Sequence, residues 1–387
     1  MGRPKKIIAK KFISDDHISK LQGCWIDESY IKYPVVRENT DVYYIDDSGN
    51  EKLLLKFRKD CFTNSLIHNG WNSYKDLAKP SRGRGASAGP IDVNGQYFSK
   101  RELVNTNKWS TGYLKPDGKK MKQDLLTKDI NEIIKIAKKY NISKENNSKD
   151  TIINEIIKKN NGISNMKINN QVASNAIGFY EAQKNLGRDH PCRLTHFTRT
   201  NYDNYKNGLP FIEKIDSMFK KLIPESYEKQ FNRASQKPHL KISDTSFSTV
   251  TINRNFRTAL HRDAGDYKEG FGNLTVIRRG KYHGGYTIFP QFGVAVDVDT
   301  KDFLAMDVHQ WHSNTPIYQS KEDKLFNEQL TPVFKENPDV GTAGIYENYT
   351  RLTFVCYLRE KIATCPDTID PQFLTKSGHS KIQTTMS

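Results

Sequence analysis

The second half of the sequence is a succession of short, strand-length runs, and this pattern constrains the fold more than any other feature. Between about residues 165 and 360, runs such as GNLTVIRR, GVAVDVD and RLTFVCYL are separated by Gly, Pro and Asn. Strands of this length and spacing are typical of all-β proteins. We therefore predict a β-barrel or a double-sheet jelly roll. Helices near residues 173–184 and 210–222 are expected to pack outside it.

The composition indicates a globular protein. Hydrophobic residues make up 36% of the 387 residues. No apolar run approaches the ~20 residues that a membrane-spanning helix needs. The N-terminal sequence MGRPKKIIAKKF also lacks the apolar core of a signal peptide. We therefore expect an intracellular protein with no membrane partner.

The cysteines predict neither a disulfide framework nor a zinc cluster. There are five of them, an odd number, and they are widely scattered without any C-x-x-C pair. Disulfides are also rare inside cells. The simplest expectation is that Cys24, Cys61, Cys192, Cys356 and Cys365 are buried thiols.

Positive charge is concentrated in the first half of the chain. Residues 1–200 carry a net charge of +14 and residues 201–387 carry +2, which together give the formal charge of +16. A uniformly solvated lysine surface, or an AT-rich coding sequence, is the plain alternative. The segregation favours a polyanionic partner, and nucleic acid fits best.

Two short basic segments are compatible with such a partner. Residues 1–6, MGRPKK, place Gly-Arg-Pro beside lysines and resemble an AT-hook, an extended element that binds the narrow minor groove of A/T-rich DNA. A plain basic tail or a nuclear-import signal fits equally well. Residues 80–90, PSRGRGASAGP, form a loop whose arginines either meet phosphates or simply cross the surface.

A lysine-rich stretch between residues 120 and 160 has helical rather than strand periodicity. Isoleucines recur at helical spacing in LTKDINEIIKIAKKYNIS and again in SKDTIINEIIKK, with a polar loop between. This layout resembles a SAP motif, a small two-helix DNA-binding module. The pattern is short and degenerate, so a plain helical insertion remains an equal alternative.

The His261-Arg262-Asp263 triplet carries the clearest chemical signal. Side chains two residues apart on a strand point to the same face, so His261 and Asp263 can bind one metal ion together. The alternative is a surface turn in which Arg262 pairs with Asp263. The triplet follows the strand-like run Thr251–Leu260 and precedes a turn, which places it at the end of a strand, at a barrel mouth.

A distant histidine is needed to complete a site of this type. Two histidines and one carboxylate form the facial triad of non-haem Fe(II) oxygenases, which leaves open coordination positions. The segment DVHQWHSNTP offers His309 and His312, which face opposite sides of a strand because they are three residues apart. We predict His312 as the third ligand and His309 as a neighbouring structural group.

Arg351 opens the alternating strand RLTFVCYL. A guanidinium in a strand wall can hold a carboxylate through two parallel hydrogen bonds, as the far end of 2-oxoglutarate requires. A surface strand arginine is the ordinary alternative. Asn253 and Arg257 share strand parity with His261 and are predicted to face the cosubstrate or substrate, although pairing with acidic neighbours explains them equally well.

These segments together resemble a known family. The runs TINRNFRTALHRDAGD, GGYTIFPQFG, HSNTP and TRLTFVCY are similar to the TET/JBP family of Fe(II)/2-oxoglutarate-dependent nucleic-acid dioxygenases, especially its compact fungal, protist and viral-type members. DSGNEKLLLKFRK, RGRGASAG and PCRLTHFTR resemble upstream parts of those members. The resemblance covers most of the chain except the lysine-rich insertion and the C-terminal tail.

The resemblance implies a fold, a set of cofactors and a reaction. It implies a double-stranded β-helix core, Fe(II) bound by His261, Asp263 and His312, 2-oxoglutarate bound by Arg351, and O₂ as cosubstrate. Family members oxidise the 5-methyl group of 5-methylcytosine or thymine to hydroxymethyl and sometimes further. The chain shows neither the cysteine-rich domain of animal TET proteins nor an obvious J-base-binding domain, so either methylated base remains open.

We predict a mainly β (α+β) protein with a jelly-roll core and an inserted helical module. The predicted divisions are a basic AT-hook-like tail (1–24), the N-terminal part of the oxygenase region (25–118), the SAP-like module (119–162), the double-stranded β-helix core (163–362) and a C-terminal tail (363–387). DNA is the predicted partner, and a nuclear or DNA-associated location is expected if the source is eukaryotic or viral.

Two other functions remain open from the sequence. A 2-oxoglutarate-dependent hydroxylase of a protein or small molecule would share the core without needing DNA. A non-catalytic nucleic-acid-binding protein on an oxygenase scaffold would explain the charge but not the intact H-x-D, distal histidine and arginine. The sequence leaves DNA versus RNA, the number of oxidation steps, sequence context and oligomeric state undecided.

Overall fold

The computed structural model describes residues 3–78, 80–81, 84–89, 110–111, 116–142, 148–160, 167–168, 172–185, 188–331, 333 and 348–367. The strands are β1 (Lys5–Ala9), β2 (Thr40–Ile45), β3 (Glu51–Arg58), β4 (Pro80–Ser81), β5 (Ser110–Thr111), β6 (Lys167–Ile168), β7 (Val172–Tyr180), β8 (Gln183–Asn185), β9 (Arg188–His190), β10 (Arg193–Leu194), β11 (Thr249–Arg254), β12 (Gly272–Arg279), β13 (His283–Gly284), β14 (Thr287–Phe289), β15 (Val294–Val296), β16 (Phe303–Met306), β17 (Ser313–Asn314), β18 (Ile317–Tyr318) and β19 (Thr350–Tyr357).

The helices are α1 (Asp15–Lys20), α2 (Asn64–Tyr74), α3 (Pro116–Leu126), α4 (Ile130–Lys139), α5 (Lys149–Lys159), α6 (His196–Thr200), α7 (Tyr202–Asn207), α8 (Leu209–Leu222), α9 (Pro224–Ser235) and α10 (Lys321–Glu328). None of them is long and apolar enough to cross a lipid bilayer.

Two β-sheets face each other across a hydrophobic core. The larger sheet has the strand order β1-β2-β3-β16-β12-β19-β11-β7-β10, and the smaller one has the order β15-β14-β17. Leu274, Val276 and Leu304 of the larger sheet pack against Phe289 and Val296 of the smaller sheet in one buried cluster. Two facing sheets of short, mostly antiparallel strands confirm the predicted double-stranded β-helix.

Helices cover the opposite face of the larger sheet. Phe211 and Phe219 of α8 belong to the same buried cluster as Ile252 of β11 and Phe354 of β19. Because one face of β19 packs on helices and the other faces the second sheet, the strand is held on both sides. The predicted helix at 210–222 is confirmed, whereas 173–184 is not helical: β7 occupies its first part and pairs with β11.

The wrong helix prediction has a local cause. In the structure nearly every side chain of β7 is buried, as in a strand with contacts on both faces, so the alternation that marks a half-exposed strand is missing.

The helical module has a core of its own. Its buried residues are all aliphatic and come from α3, α4 and α5: Leu125, Ile133, Ala137, Ile152, Ile153, Ile156 and Ile157. Asp129 and Ser148 cap α4 and α5 by accepting hydrogen bonds from backbone N–H groups of the first turn. The helices predicted around residues 130–139 and 149–159 are confirmed, while the SAP-like assignment stays a prediction.

The N-terminal segment is part of the fold rather than a free tail. β1 pairs in parallel with β2 from Lys5 to Ala9, and Ile18 of α1 is fully buried. The prediction that residues 1–24 form a tail therefore does not hold for the described residues from Lys5 onward. The strand was missed because KKIIA is short and begins with two lysines.

The prediction of free thiols is wrong for two of the cysteines. Cys192 and Cys365 form a disulfide with an S–S distance of 2.07 Å, whereas Cys24, Cys61 and Cys356 are free thiols. The bond ties the segment after β19 to the segment before β10, so residues 363–367 do not begin a free tail. Residues 368–387 lie outside the described part. The sequence separation of 173 between the two cysteines hid this pairing from sequence inspection.

Candidate metal centre and cosubstrate pocket

The two candidate histidine ligands lie opposite each other on neighbouring extended segments. His261 and His312 exchange two backbone hydrogen bonds of 3.0 Å, and their ring centroids are 4.3 Å apart. The backbone N–H of Asp263 donates to Val308 O at 3.0 Å, which holds the carboxylate beside both rings. The backbone pairing alone therefore brings residues 261 and 312 together.

Each imidazole has its proton placed for metal binding. His261 Nδ1 lies 2.7 Å from Ala259 O, and His312 Nδ1 lies 2.9 Å from Gln310 O. A carbonyl can only accept, so Nδ1 must donate in both rings and each Nε2 keeps a free lone pair. Burial, followed by the neighbouring His312, lowers the pKa of His261 to about 4, so this ring is neutral at physiological pH.

The free Nε2 atoms both point toward Asp263. His261 Nε2 is 3.6 Å from Asp263 Oδ1, and His312 Nε2 is 3.7 Å from Asp263 Oδ2. The three ligand atoms lie within 4.8 Å of one another. Two neutral imidazole nitrogens and one carboxylate form a donor set that suits Fe(II). The residues present therefore fit the metal that the sequence predicts.

Arg351 lies in the same cavity as the three candidate ligands. The cavity has a volume of about 370 Å³ and is lined by His261, Asp263, His312 and Arg351, among others. Arg351 is only 4% exposed. Its Nη1 donates to Thr353 Oγ1 at 2.6 Å, and its guanidinium forms no ion pair with any residue that the structure describes.

A buried guanidinium without an anion is costly, because its charge has lost water and gained no counter-ion. Burial accordingly lowers the pKa of Arg351. By contrast, the neighbouring Arg278 lies 3.6 Å from Asp297 and 3.5 Å from Asp299. Arg351 is therefore a buried cation in the cavity wall that is held ready for an acidic ligand.

Asn255 fixes the backbone that carries Arg351. Its side-chain Oδ1 accepts from Arg351 N at 2.6 Å, and its Nδ2 donates to Tyr349 O at 3.1 Å. Asn255 adopts a left-handed conformation with φ 46°, which Asn tolerates better than most residues. The sequence gave no sign of this role because a lone Asn in a strand-like run has no distinctive pattern.

The left-handed conformation of Asn255 also explains why Arg257 does not lie where the sequence predicts. β11 ends at Arg254, so the predicted strand Thr251–Leu260 is interrupted at Asn255 and the parity argument does not reach Arg257. Arg257 instead stacks on Trp25 at 4.7 Å and donates to Ile26 O at 2.8 Å. The structure does not place Arg257 on the cavity wall.

Of the other two predicted residues, one lines the cavity and one lies outside it. Asn253 lines the cavity, and its Oδ1 accepts a short hydrogen bond from Ser174 Oγ. His309 lies outside the cavity lining, and its Nε2 is 3.2 Å from Tyr267 O. This separation of His309 from His312 agrees with the prediction that only one of them joins the ligand set.

Several cavity residues were missed in the sequence. Thr287, Ser313 and Thr353 line the cavity, and the hydroxyls of Thr287 and Ser313 are buried without a hydrogen-bond partner in the described part of the chain. Asp266 also lines it, and burial followed by the charge of Asp263 raises its pKa well above the usual value. In the sequence, nothing but its position three residues after Asp263 marks Asp266 as a candidate cavity residue.

Part of the chain that includes this site matches a known protein family. The Tet_JBP family model, described as the oxygenase domain of the 2OGFeDO superfamily, matches residues 176–360. This superfamily uses Fe(II), 2-oxoglutarate and O₂, the cofactor and cosubstrates predicted from the sequence. The matched range includes the three candidate ligands and Arg351.

Curated relatives match over less than half of the chain. Thymine dioxygenase JBP1-A of Trypanosoma cruzi (strain CL Brener) is 33% identical over 43% of this chain and 17% of its own length. Thymine dioxygenase JBP1 of Trypanosoma brucei brucei is 32% identical over 41% of this chain and 19% of its own. The aligned part is therefore less than one fifth of each of these relatives.

A longer relative and a solved structure complete the comparison. The bifunctional helicase and thymine dioxygenase JBP2 of Leishmania tarentolae is 30% identical over 47% of this chain and 14% of its own length. The structure of NgTET1 in complex with 5mC DNA covers 90% of this chain and 88% of that chain with a TM-score of 0.43 and 8% identity, a score too low to support an argument. Residues 176–360, a little under half of the chain, are thus similar to the oxygenase domain of the Tet_JBP family.

Proposed function

We propose that this chain is an Fe(II)- and 2-oxoglutarate-dependent dioxygenase that oxidises the 5-methyl group of a pyrimidine in DNA. The observation that carries the proposal is the buried guanidinium of Arg351, without an ion-pair partner in the described residues, in the wall of the cavity that holds His261, Asp263 and His312. A dicarboxylic keto acid supplies the missing anion at one end and metal ligands at the other.

The chain contributes positioning and charge. His261 and His312 direct their Nε2 atoms toward Asp263 because their Nδ1 atoms donate to backbone carbonyls. Arg351 binds the distal carboxylate of 2-oxoglutarate, and Thr353 fixes the orientation of the guanidinium fork. Bound together, Fe(II), 2-oxoglutarate and O₂ supply an oxidation that converts a methyl group to hydroxymethyl while the keto acid becomes succinate and CO₂.

The size of the cavity sets how the substrate enters. A cavity of about 370 Å³ holds a small molecule and a single base, but not a duplex. A target methyl group must therefore arrive on a base that has left the helical stack, at a cost of a few kcal/mol. The positive charge of the first half of the chain would offset this cost through phosphate contacts.

Thymine is supported by the names of the curated relatives, which are thymine dioxygenases. 5-Methylcytosine carries its methyl group on the same ring atom, so both bases belong to the proposed substrate class. DNA is the proposed partner, and a location at DNA follows from that partner.

The test is a comparison of substrates. Purified protein is incubated with Fe(II), 2-oxoglutarate and duplexes that contain thymine, 5-methylcytosine or neither, and nucleosides and succinate are measured by mass spectrometry. The proposal expects 5-hydroxymethyl nucleosides and an equal amount of succinate, both absent in His261→Ala. Product formation on a peptide or small molecule, with no change in any oligonucleotide, would overturn the assignment of DNA as the substrate.

A further inference from the structure

Two arginines at the cavity have no role in the metal centre or in cosubstrate binding. Four arginines line the cavity: Arg84, Arg262, Arg351 and Arg359. Arg351 faces the cosubstrate, and both Nε and Nη2 of Arg359 donate to Glu181. Arg84 and Arg262 form no ion pair with a residue that the structure describes, so two positive charges remain available.

Arg84 is held in place by a docked loop. It precedes the short 3₁₀ turn Gly85–Ala88, and Ser87 O of this turn accepts a hydrogen bond from Ala259 N at 2.9 Å, two residues before His261. Ala88 is 1% exposed in a buried cluster. The loop is therefore fixed to the segment that carries the first candidate metal ligand.

Gly89 secures the other end of the loop. It adopts φ +72°, and a Cβ at this position would lie 2.3 Å from Trp25 Cη2. A glycine is required for such a close approach to the indole ring. The same ring is covered on another side by Arg257. The segment that directly follows Arg84 is thus fixed by the contacts of Ser87, Ala88 and Gly89.

The side chain of Arg84 keeps its charge free. It is half-buried and makes no hydrogen bond through its guanidinium to any described residue, although its backbone O accepts from Ser87 Oγ at 2.7 Å. Arg84 lines the same cavity as the candidate metal ligands.

Arg262 offers the second free charge. It is exposed, and its guanidinium stacks on Trp311 at 4.5 Å. Stacking fixes the plane of the guanidinium while leaving its N–H groups for an anion. An exposed and a half-buried guanidinium on the lining of one cavity are suited to bind anions that remain outside it.

We propose that Arg84, with Arg262, binds the phosphodiester groups beside the nucleotide whose base enters the cavity. This inference rests on the proposed function and specifies how its substrate is held. A base fits into the cavity, whereas its charged backbone stays in water at the entrance, where free guanidinium groups meet it. The substrate class is therefore an oligonucleotide with a charged linkage at the target, and a free nucleoside is excluded.

The test uses one neutral linkage at a time. Single-stranded oligonucleotides carry one target base, with a methylphosphonate replacing the phosphodiester on its 5′ side, on its 3′ side or at a distant position. In the unmodified protein one of the two adjacent replacements should raise KM on the order of tenfold, the size of effect expected for one lost charge-assisted hydrogen bond. The distant replacement should have little effect.

Arg84→Gln should raise KM for the charged oligonucleotide to a similar extent and abolish the penalty of that one adjacent replacement. Arg199→Gln is the matched control, because Arg199 is an exposed arginine that does not line the cavity. The KM for 2-oxoglutarate should stay unchanged in both variants. Arg84→Lys should restore part of the affinity.

Three results would overturn the inference. The first is an equal methylphosphonate penalty in the unmodified protein and in Arg84→Gln. The second is a rise in KM for 2-oxoglutarate in Arg84→Gln, which would assign Arg84 to the cosubstrate. The third is full activity on a free nucleoside. Absence of succinate formation in the unmodified protein would instead refute the proposed function, so the two failures are distinguishable.

Discussion

Replacing Arg351 by Met should lower activity and raise the stability of the ligand-free protein at the same time. The guanidinium is 4% exposed, and within the described residues it has one hydroxyl partner and no counter-ion. Replacing buried charged groups by apolar residues of similar size is often stabilising by about 1–4 kcal/mol. Arg351→Met should therefore unfold at a higher denaturant concentration than the unmodified protein.

The loss of cosubstrate affinity can be worked from the same geometry. Each charge-assisted hydrogen bond contributes about 1.5–3 kcal/mol. Losing the two that a guanidinium makes to a carboxylate therefore costs about 3–6 kcal/mol, and since about 1.4 kcal/mol is a factor of ten, KM for 2-oxoglutarate should rise by two to four orders of magnitude. Arg351→Lys retains the positive charge but not the two parallel N–H donors of the guanidinium. Its KM for 2-oxoglutarate should therefore lie between those of the unmodified protein and of Arg351→Met.

The assay combines denaturant unfolding with succinate formation at increasing concentrations of 2-oxoglutarate. Arg58→Met is the control, because Arg58 lies in the same sheet but is already paired with Asp41 at 2.7 Å. It should lose stability, by about 3 kcal/mol for a broken, largely buried pair, and leave KM unchanged. An Arg351→Met variant with an ordinary KM, or with stability lowered as in Arg58→Met, would refute the reasoning.

Four further predictions concern the metal centre, a buried ion pair, the disulfide and the helical module. His312→Ala should abolish succinate formation and weaken binding of Fe(II) while leaving binding of DNA intact; equal loss of both would contradict the division of labour. Burial opposes ionisation of Glu181, but Arg359 still holds the pKa of this carboxyl below its ordinary value. Glu181→Gln should therefore lower the free energy of unfolding by about 3 kcal/mol at pH 7, and the difference from the unmodified protein should disappear as pH falls through the lowered pKa. A stability difference that persists in acid would exclude the ion pair as its cause. Cys365→Ser should reduce stability by about 2–5 kcal/mol, because the bond closes a long loop, and a reductant should then have no further effect on Tm. Deleting residues 119–162 should weaken DNA binding and reduce its salt dependence without changing KM for 2-oxoglutarate; an unchanged salt slope would leave the module without a role in binding.

The sequence predicted the core and the candidate centre because both depend on local patterns. Strand-length runs separated by turn residues indicated the jelly roll, and two ligands two residues apart with a distal histidine indicated the triad. Strand alternation allowed only one of His309 and His312 to join the site, and His312 was preferred because it ends the strand before the segment SNTP. The structure brings His312, and not His309, to Asp263.

What the sequence missed depends on contacts between distant segments or on single backbone angles. One residue with positive φ, Asn255, redirects Arg257 away from the cavity, and strand parity has no means of detecting it. The strand β7 is buried on both faces and so lacks alternation. The Cys192–Cys365 bond and the docking of the Arg84 loop on Ala259 each join residues more than 170 positions apart.

The most direct test of the central claim measures the coupling between 2-oxoglutarate and an oxidised base. The protein, Fe(II), O₂ and a thymine- or 5-methylcytosine-containing oligonucleotide are incubated with 2-oxoglutarate, and succinate and 5-hydroxymethyl nucleosides are quantified together. The account predicts one succinate for each first oxidation of a methyl group, with both products lost in His312→Ala and both restored in Arg351→Met only at very high 2-oxoglutarate. Oxidised base formed without 2-oxoglutarate, or undiminished by loss of His312, would contradict it.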